Sequence, residues 1–522
     1  MNITGIEFPP TGQKTGRINI MNTNVIDPSV AEQCQIRLQL PAVESNVDYH
    51  RQVRLLDDID GLLLTSGVEL QVMDAALAAE SAQAESPLSA KECYRCRVFA
   101  RRSLRCTIAR LLSGESFRSF SIHVADSHLL RRFCGYDGLA DQSPSKSTLQ
   151  RMMQVVDTPA IRSSVVHLIQ QARRLGPDQK ALLGMPEVTT LDQVYVDSTC
   201  LPLDIHYPTD WVLLRDLTKS MTQCIDRIRK CGLRCRMQQA ASFRKVMNKL
   251  CMAMTEASRQ RGGKAKRKGI LRAMKKHVRT VMDHGQRHLD KLNNQWMQTD
   301  LTAAQKDHIV LRLKNLIAIG PSVIKQAHER IIGERPVSNG DKILSIHEVH
   351  AAVYVRGKAG ADCEFGLQLQ LAENSDGLIV DWDIPNDGIH SDSAALIPGM
   401  DRLIESYGDS SIQSVIADRG YNSKKNAKAL KTRGLEDLTL PRNPQELQKS
   451  MKIQSFAAYH CRRAQTEARI GIFKNCFAGQ KIPAKGLNQQ QQHVAWAVLT
   501  HNLWVLARHI EAGRVASQSN AA

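Results

Sequence analysis

Two short apolar runs, "VYVD" at 194–197 and "SVIAD" at 414–418, each end on an aspartate, and Asp197 and Asp418 lie 221 residues apart. Burying a strand that terminates in a bare carboxylate is unfavourable unless something uses the charge. The carboxyl ends of strands in α/β sheets are where ligands and catalytic groups gather. The chain is therefore expected to be α/β, with one sheet that brings both runs together. The stretches after residue 335 fit that sheet: "AAVYVRG", "EFGLQLQLAE" and "GLIVDWDI" alternate or run apolar over strand lengths. "HSDSAALIPGMDRLIESYG" and the basic "NSKKNAKALKTRG" read as helices, with a short strand near "DLTLPR". A helix follows across "HCRRAQTEARIGIFKN", and a last amphipathic helix over about 487–512 carries Trp496, Leu499, Leu503 and Leu506 on its apolar side.

The interval between the two aspartates is too long for strands alone. Residues 219–335 hold 27 Lys and Arg against 8 Asp and Glu, a surplus of 19, while the whole chain has 70 against 52 and a net charge of +18. Essentially all the excess charge sits in this one helical segment, which reads as an insertion after the first strand. A lone basic run is usually a solvated face. Segregation on this scale points instead to a surface for the phosphate backbone of nucleic acid. Its densest stretch, "RQRGGKAKRKGILRAMKKHVR", contributes Lys264, Lys266, Arg267 and Lys268 as candidate DNA contacts. A membrane partner is not expected, because no run of about 18 apolar residues occurs. The start, "MNITGIEFPP", has no signal-peptide pattern, so a cytosolic location is expected. Thirteen cysteines, an odd and scattered set, read as reduced thiols. Cys93 and Cys96 have C-x-x-C spacing without a second pair, which argues against zinc.

Residues 1–46 read as an extended or poorly ordered lead, and 47–180 as a helical domain, with Leu104, Ile108, Leu111 and Leu112 and then Leu129, Leu130 and Phe133 at helical spacing. Within it, "SPSKSTLQRMM" has Ser143 as a cap and Pro144 at the first helical position. Lys146, Ser147, Gln150 and Arg151 decorate the resulting short helix. It is a candidate helix-turn-helix DNA reader, with Lys146 and Arg151 as contacts, and the alternative is a solvated helix packing on the next domain.

A third acid, Glu467, lies on the helix near the end of the chain. His460, Arg463, Glu467 and Lys474 share one face of it, and Thr466, Ile470, Phe473 and Phe477 form a largely apolar stripe beside them. The bland reading is a surface pair between Arg463 and Glu467 at i, i+4. The functional reading is that Asp197, Asp418 and Glu467 hold two divalent metals for phosphoryl transfer, with Mg²⁺ (or Mn²⁺) suited to carboxylate and water ligands. Asp204, Asp210 and Asp216 follow Asp197 closely but end no clean apolar strand, and His390 and Asp392 open a helix where an acid is commonly a cap. None of these is placed in the site.

Taken together, the order of these motifs resembles the DDE transposases of bacterial insertion sequences. Arg463, Glu467 and Lys474 match the Tyr-x2-Arg-x3-Glu-x6-Lys signature in register, with His460 at the tyrosine position and Tyr459 one place off. "VDSTCLPLDIHYPTDWVLLRDLTKSM", "RGKAGADCEFG", "IADRGY", "QTEARIG" and "LTHNLWVLAR" are similar to the group known as ISNCY-type, over about 90–510. The resemblance implies a ribonuclease-H-like catalytic domain, built here from 190–218 and 336–512, with a helical N-terminal domain, a basic all-α insertion at 219–335 and a tail at 513–522. It implies Asp197, Asp418 and Glu467 as catalytic metal ligands, with Arg463 and Lys474 on phosphate near the cleavage site. It further implies cleavage and joining of double-stranded DNA between terminal inverted repeats and a target, by a homo-oligomer in the bacterial cytosol. Two rivals share the sequence features: a DNA-binding derivative that has lost chemistry, and a nuclease of the same fold.

Overall fold

The computed structural model describes residues 40, 41, 43, 45–138, 141–358, 361–386 and 390–521. The lead expected over 1–46 falls almost wholly outside them. At the centre is a mixed sheet of β1 (Gln193–Pro202), β2 (Ala352–Lys358), β3 (Ala361–Asn374), β4 (Ile379–Asp383), β5 (Ser414–Ala417) and β6 (Glu436–Asp437). Its order is β2-β3-β1-β5-β6, with β4 also paired to β3. Strand β3 runs antiparallel to β1, whereas β5 is parallel to β1 and β6 parallel to β5. All of β5 is buried, as a short continuous apolar run in the middle of a sheet should be. Parallel neighbours need a crossover. Helices α12 (Asp392–Tyr407), between β4 and β5, and α13 (Lys424–Thr432), between β5 and β6, lie in those connections.

Asp197 does not end its strand, as the sequence suggested. Strand β1 continues to Pro202 because β3 goes on supplying antiparallel partners, from Asp197 opposite Leu371 to Pro202 opposite Gly366. What ends near Asp197 is the parallel ladder with β5, whose last register pair is Val196 and Ala417. Gly366 is required at that far end: a Cβ there would lie 2.0 Å from the Leu201 carbonyl oxygen.

Helices α1 (Val47–Ser66), α2 (Val68–Gln83), α3 (Ala90–Ser113), α4 (Phe117–Asp126), α5 (His128–Cys134), α6 (Lys146–Met152) and α7 (Thr158–Ala172) precede the sheet. Gly67, at φ +73°, both ends α1 and opens α2, a left-handed geometry that only glycine adopts freely. The cap of α6 is Ser145, whose side chain accepts from Thr148 N. Ser143 was the expected cap, but its hydroxyl is engaged by Arg131 at 2.8 Å, and Pro144 stands before the helix rather than in it. Among the described residues no single helix is long and apolar enough to cross a membrane. Only α1 and α2 together, bent by 65°, approach that length.

Helix α16 (Leu487–Ala521) joins these layers. It does not stop before a tail at 513, because its polar end contains no strong breaker after Gly513. Trp496, Leu499, Leu503 and Leu506 are buried, and so are Val494 and Val498 between them, so this part of the helix is enclosed rather than amphipathic. Its apolar residues, those of α3 and α7, and Val194 and Val415 of the sheet form one continuous core. Trp496 also donates through Nε1 to the Met153 carbonyl at 2.9 Å, tying α16 to the segment after α6.

Between β1 and β2 stand α8 (Asp210–Lys230), α9 (Ala240–Arg259), α10 (Lys264–Gln295) and α11 (Ala303–Ile331). They pack around a second core that includes Leu217, Met221, Met247, Met274, Val278 and Leu313. The helices begin at Asp210, before the charge surplus does, since Leu213 and Leu217 already face that core. Asp210 closes the base of the bundle, accepting from Gln326 Nε2 at 2.9 Å and from Arg330 at 3.0 Å.

Trp496→Ala is expected to lower stability by about 3–5 kcal/mol, the range for losing a large buried aromatic side chain. Chemical denaturation measures it; a loss under 1 kcal/mol would show that α16 is not the joint between the layers.

Candidate active site

The parallel register of β1 and β5 fixes the first two acids. With Val196 opposite Ala417, the next residues on the two strands are Asp197 and Asp418, side by side at the point where the ladder stops. Asp418 leaves its strand into a turn, its Oδ1 accepting from Arg419 N at 2.6 Å, and its side chain is half exposed. Asp197 is far more enclosed, its side chain 18% exposed, and its Oδ1 accepts from Ser198 N at 2.8 Å.

The third acid arrives on α15 (Gln454–Ile472), which crosses the sheet over β1 and β5. On its underside Phe456 joins Tyr195, Ile416 and Leu438 in a small core, with Tyr459 packed against them. A polar anchor sets its rotation. Glu373 of β3, 4% exposed, accepts from Arg462 Nη1 at 2.9 Å and from the Thr466 hydroxyl at 2.7 Å. Arg462 also donates to the Asn374 and Ser375 carbonyls and lies 4.6 Å over the Tyr195 ring. With Arg462 and Thr466 held this way, the next residue after each, Arg463 and Glu467, faces the two aspartates.

Arg463 stands between all three acids. Its guanidinium lies 3.2 Å from Asp197, 3.6 Å from Asp418 and 3.8 Å from Glu467. The expected i, i+4 pair with Glu467 is thus the longest of three contacts, and Arg463 is 12% exposed rather than free at the surface. With one cation among three carboxylates, the site carries unbalanced negative charge. Burial raises the Asp197 pKa from 3.8 to about 6; Arg463 and the Ser198 N–H pull it down, while Asp418 and Glu467 push it up.

The remaining expected residues divide. Lys474 follows the end of α15, in the π-helical turn Phe473–Ala478, and reaches the Thr199 hydroxyl at 3.3 Å, two residues along β1 from Asp197. His460 points to the Leu438 carbonyl at 3.0 Å and lies tilted against the Phe456 ring, so it ties the helix to the chain beyond β6; burial lowers its pKa. Asp204 is exposed and pairs with Lys481, and Asp216 pairs with His206 and Arg215. Asp392, set aside as a helix-opening residue, accepts from the Ser198 hydroxyl at 2.7 Å, one residue from Asp197, while Ser391 is the actual cap. Its cap-like setting in "HSDSAAL" hid it.

The cations expected to meet DNA lie elsewhere. Lys146 and Arg151 are exposed on α6, the latter donating to the Thr148 hydroxyl at 3.4 Å. In the bundle, Lys264 and Lys268 both pair with Glu334, at 3.5 and 2.8 Å, and Lys266 meets Gln260 at 3.5 Å; Arg267 is half-buried. Charge counting missed a more open basic surface. The groove between α8 and α9, about 880 Å³, is lined by Arg215, Lys219, Arg227, Lys230, Arg244 and Lys245, with Asp226 its acid.

Residues 345–503 match the family model described as a transposase DDE domain. The match runs from just before β2 into α16, contains Asp418 and Glu467, and supports a DDE transposase family for the chain. Asp197 lies before it. No curated protein and no solved structure matches significantly.

Because folding raises the Asp197 pKa, the folded protein holds that proton better than the unfolded chain, and stability falls as pH climbs from about 4 through 6. In metal-free buffer Asp197→Asn is expected to be more stable than wild type by on the order of 1–3 kcal/mol at pH 7.5, with the gain vanishing near pH 4. Thermal melts across that range are the test. Destabilisation at pH 7.5 would mean that the pair with Arg463 outweighs burial.

Proposed function

We propose that the chain is a DNA transposase that cleaves and joins strands at the ends of an insertion sequence, using divalent metal held by Asp197, Asp418 and Glu467. The observation that carries this reading is the convergence of three acids, from β1, from the turn after β5 and from α15, on a single guanidinium. Two of the three lie inside the matched domain. The mixed sheet with crossover helices supports a ribonuclease-H-like core, and the four helices between β1 and β2 support a basic insertion within it.

The donor set suits Mg²⁺ or Mn²⁺. It is all oxygen, and its charge exceeds that of Arg463. As placed, no group of three His, Cys, Asp or Glu among the described residues lies close enough to surround one ion. Arg463 occupies the space between them, while Asp418 and Glu467 are about half exposed, so neither side chain is enclosed by protein. Bound divalent metal supplies neutralisation of the attacking and leaving oxygens of an in-line displacement at phosphorus.

The chain's own groups do the rest. Asp197, enclosed and fixed by its backbone, sets the position of the site, and the two exposed acids complete it from the solvent side. Arg463 is a phosphate-binding group already at the reacting centre, and Lys474, two residues along β1, meets the next stretch of backbone. The basic bundle adds sequence-independent attraction through phosphates, with the α8–α9 groove one open face, while Lys264, Lys266, Arg267 and Lys268 form a second, partly neutralised one. The helix bearing Lys146 and Arg151 is the candidate reader of the ends. The active complex would be a homo-oligomer on DNA in the bacterial cytosol.

Asp197→Asn, Asp418→Asn and Glu467→Gln each remove a charge at nearly constant volume. Each is expected to slow Mg²⁺-dependent cleavage of DNA containing the sequence that flanks the reading frame by at least about a thousandfold, roughly 4 kcal/mol, with binding of that DNA retained. A variant that still cuts near the wild-type rate removes its residue from the site. Wild type that cuts without joining would favour a nuclease, and wild type that binds without cutting, a derivative without chemistry.

A further inference from the structure

A second groove, about 740 Å³, lies between the N-terminal helices and the strip that follows α15. It is lined from one side by Arg110, Glu115, Arg118, Lys146 and Gln150, and from the other by the chain from Asn475 to Lys481. Two features point to an anionic occupant. Arg118 and Lys146 are exposed and have no carboxylate partner among the described residues, Lys481 has only a long contact of 3.7 Å to Asp204, and the one acid in the lining, Glu115, is taken by His123 at 2.7 Å.

The stronger feature is Arg110. It is 5% exposed, stacks on Phe117 and donates to the Glu115 carbonyl and toward the Met153 sulfur, yet among the described residues no carboxylate faces it and its Nε has no acceptor. Burying a guanidinium without a counter-charge is strongly unfavourable. Burial alone pulls its pKa down, to about 10. An anion in the groove would offset that cost.

One wall of the groove is also the direct continuation of the chain from the acid site. Asn475 follows Lys474, which touches β1 beside Asp197, and Ile482 forms a bridge to Leu203 just past the end of β1. From Asp197 to Leu203 is six residues of extended chain, about 20 Å. At about 3.4 Å per base pair that is some six base pairs of duplex.

We propose that this groove holds the phosphate backbone of the DNA within about six base pairs of the scissile bond, so that the α6 side and the strip after α15 grip the same duplex. The proposal rests on the transposase reading for what the duplex is, and on the groove alone for where the phosphates sit. Arg118, Lys146 and Lys481 contact phosphate from the rim, and Arg110 supplies a fixed charge from the wall.

The test is binding of the full-length protein to a random 30-base-pair duplex across a salt series. Replacing Arg118, Lys146 and Lys481 together by Ala is expected to flatten the log–log salt slope by up to about 2.7, at about 0.9 per lost contact, while Lys146→Arg with Lys481→Arg keeps it. Arg110→Met is expected to weaken binding and raise the thermal midpoint together, which a merely structural arginine would not do. With Asp197→Asn protein on end DNA, phosphate ethylation should interfere within about six base pairs of the mapped cut. An unchanged slope in the triple variant, or Arg110→Met that lowers the midpoint and leaves binding alone, would overturn the proposal. A wild type that cuts no DNA while the slope still falls would support the groove and sink the transposase reading instead.

Discussion

The parallel pairing of β1 with β5 is the constraint on which the rest depends. It joins chain segments 221 residues apart, and a whole four-helix bundle with its own core fits in the interval without disturbing them. A one-residue slip would send Asp197 and Asp418 to opposite faces, because side chains alternate along a strand. The register is held by what lies on both sides of the sheet. Val194, Val196, Val415 and Ala417 face the main core, and Tyr195 and Ile416 face the smaller one under α15.

On that base the site is built from unequal parts. Asp197 is nearly enclosed and resists ionisation; Asp418 and Glu467 are open to solvent. Arg463 softens the repulsion without cancelling it, so the fold carries local instability where the proposed chemistry needs charge. The rigidity that tolerates this comes from next door, where Glu373, Arg462 and Thr466 lock the helix against β3. Arg110 repeats the pattern some distance away, as a charge held in an unfavourable place and facing an open groove.

Much of this was legible in the chain, and what was not has physical reasons. The strands were readable because VYV and SVIA are buried on both faces and show as unbroken apolar runs. The stripe of Thr466, Phe473 and Phe477 was readable because it faces a core; all three are buried. The continuation of β1 past Asp197 was not, since Ser198 and Thr199 break the apolar pattern and only the partner strand β3 shows that the ladder goes on. Glu373 and Arg462 look like ordinary charged residues, and their pairing across 89 positions has no local signature. Net charge located the basic segment yet not its open face, because Glu334 sits apart from Lys264 and Lys268 in sequence and against them in space.

The central claim is that Asp197, Asp418 and Glu467 act as one cation site. Binding of Mn²⁺ to the DNA-free protein, followed by electron paramagnetic resonance, tests it without any assumption about the DNA. Wild type is expected to bind Mn²⁺ saturably, with at least about a tenfold loss of affinity, some 1.4 kcal/mol, in each of Asp197→Asn, Asp418→Asn and Glu467→Gln. Mn²⁺ affinity unchanged by Asp197→Asn would contradict the claim.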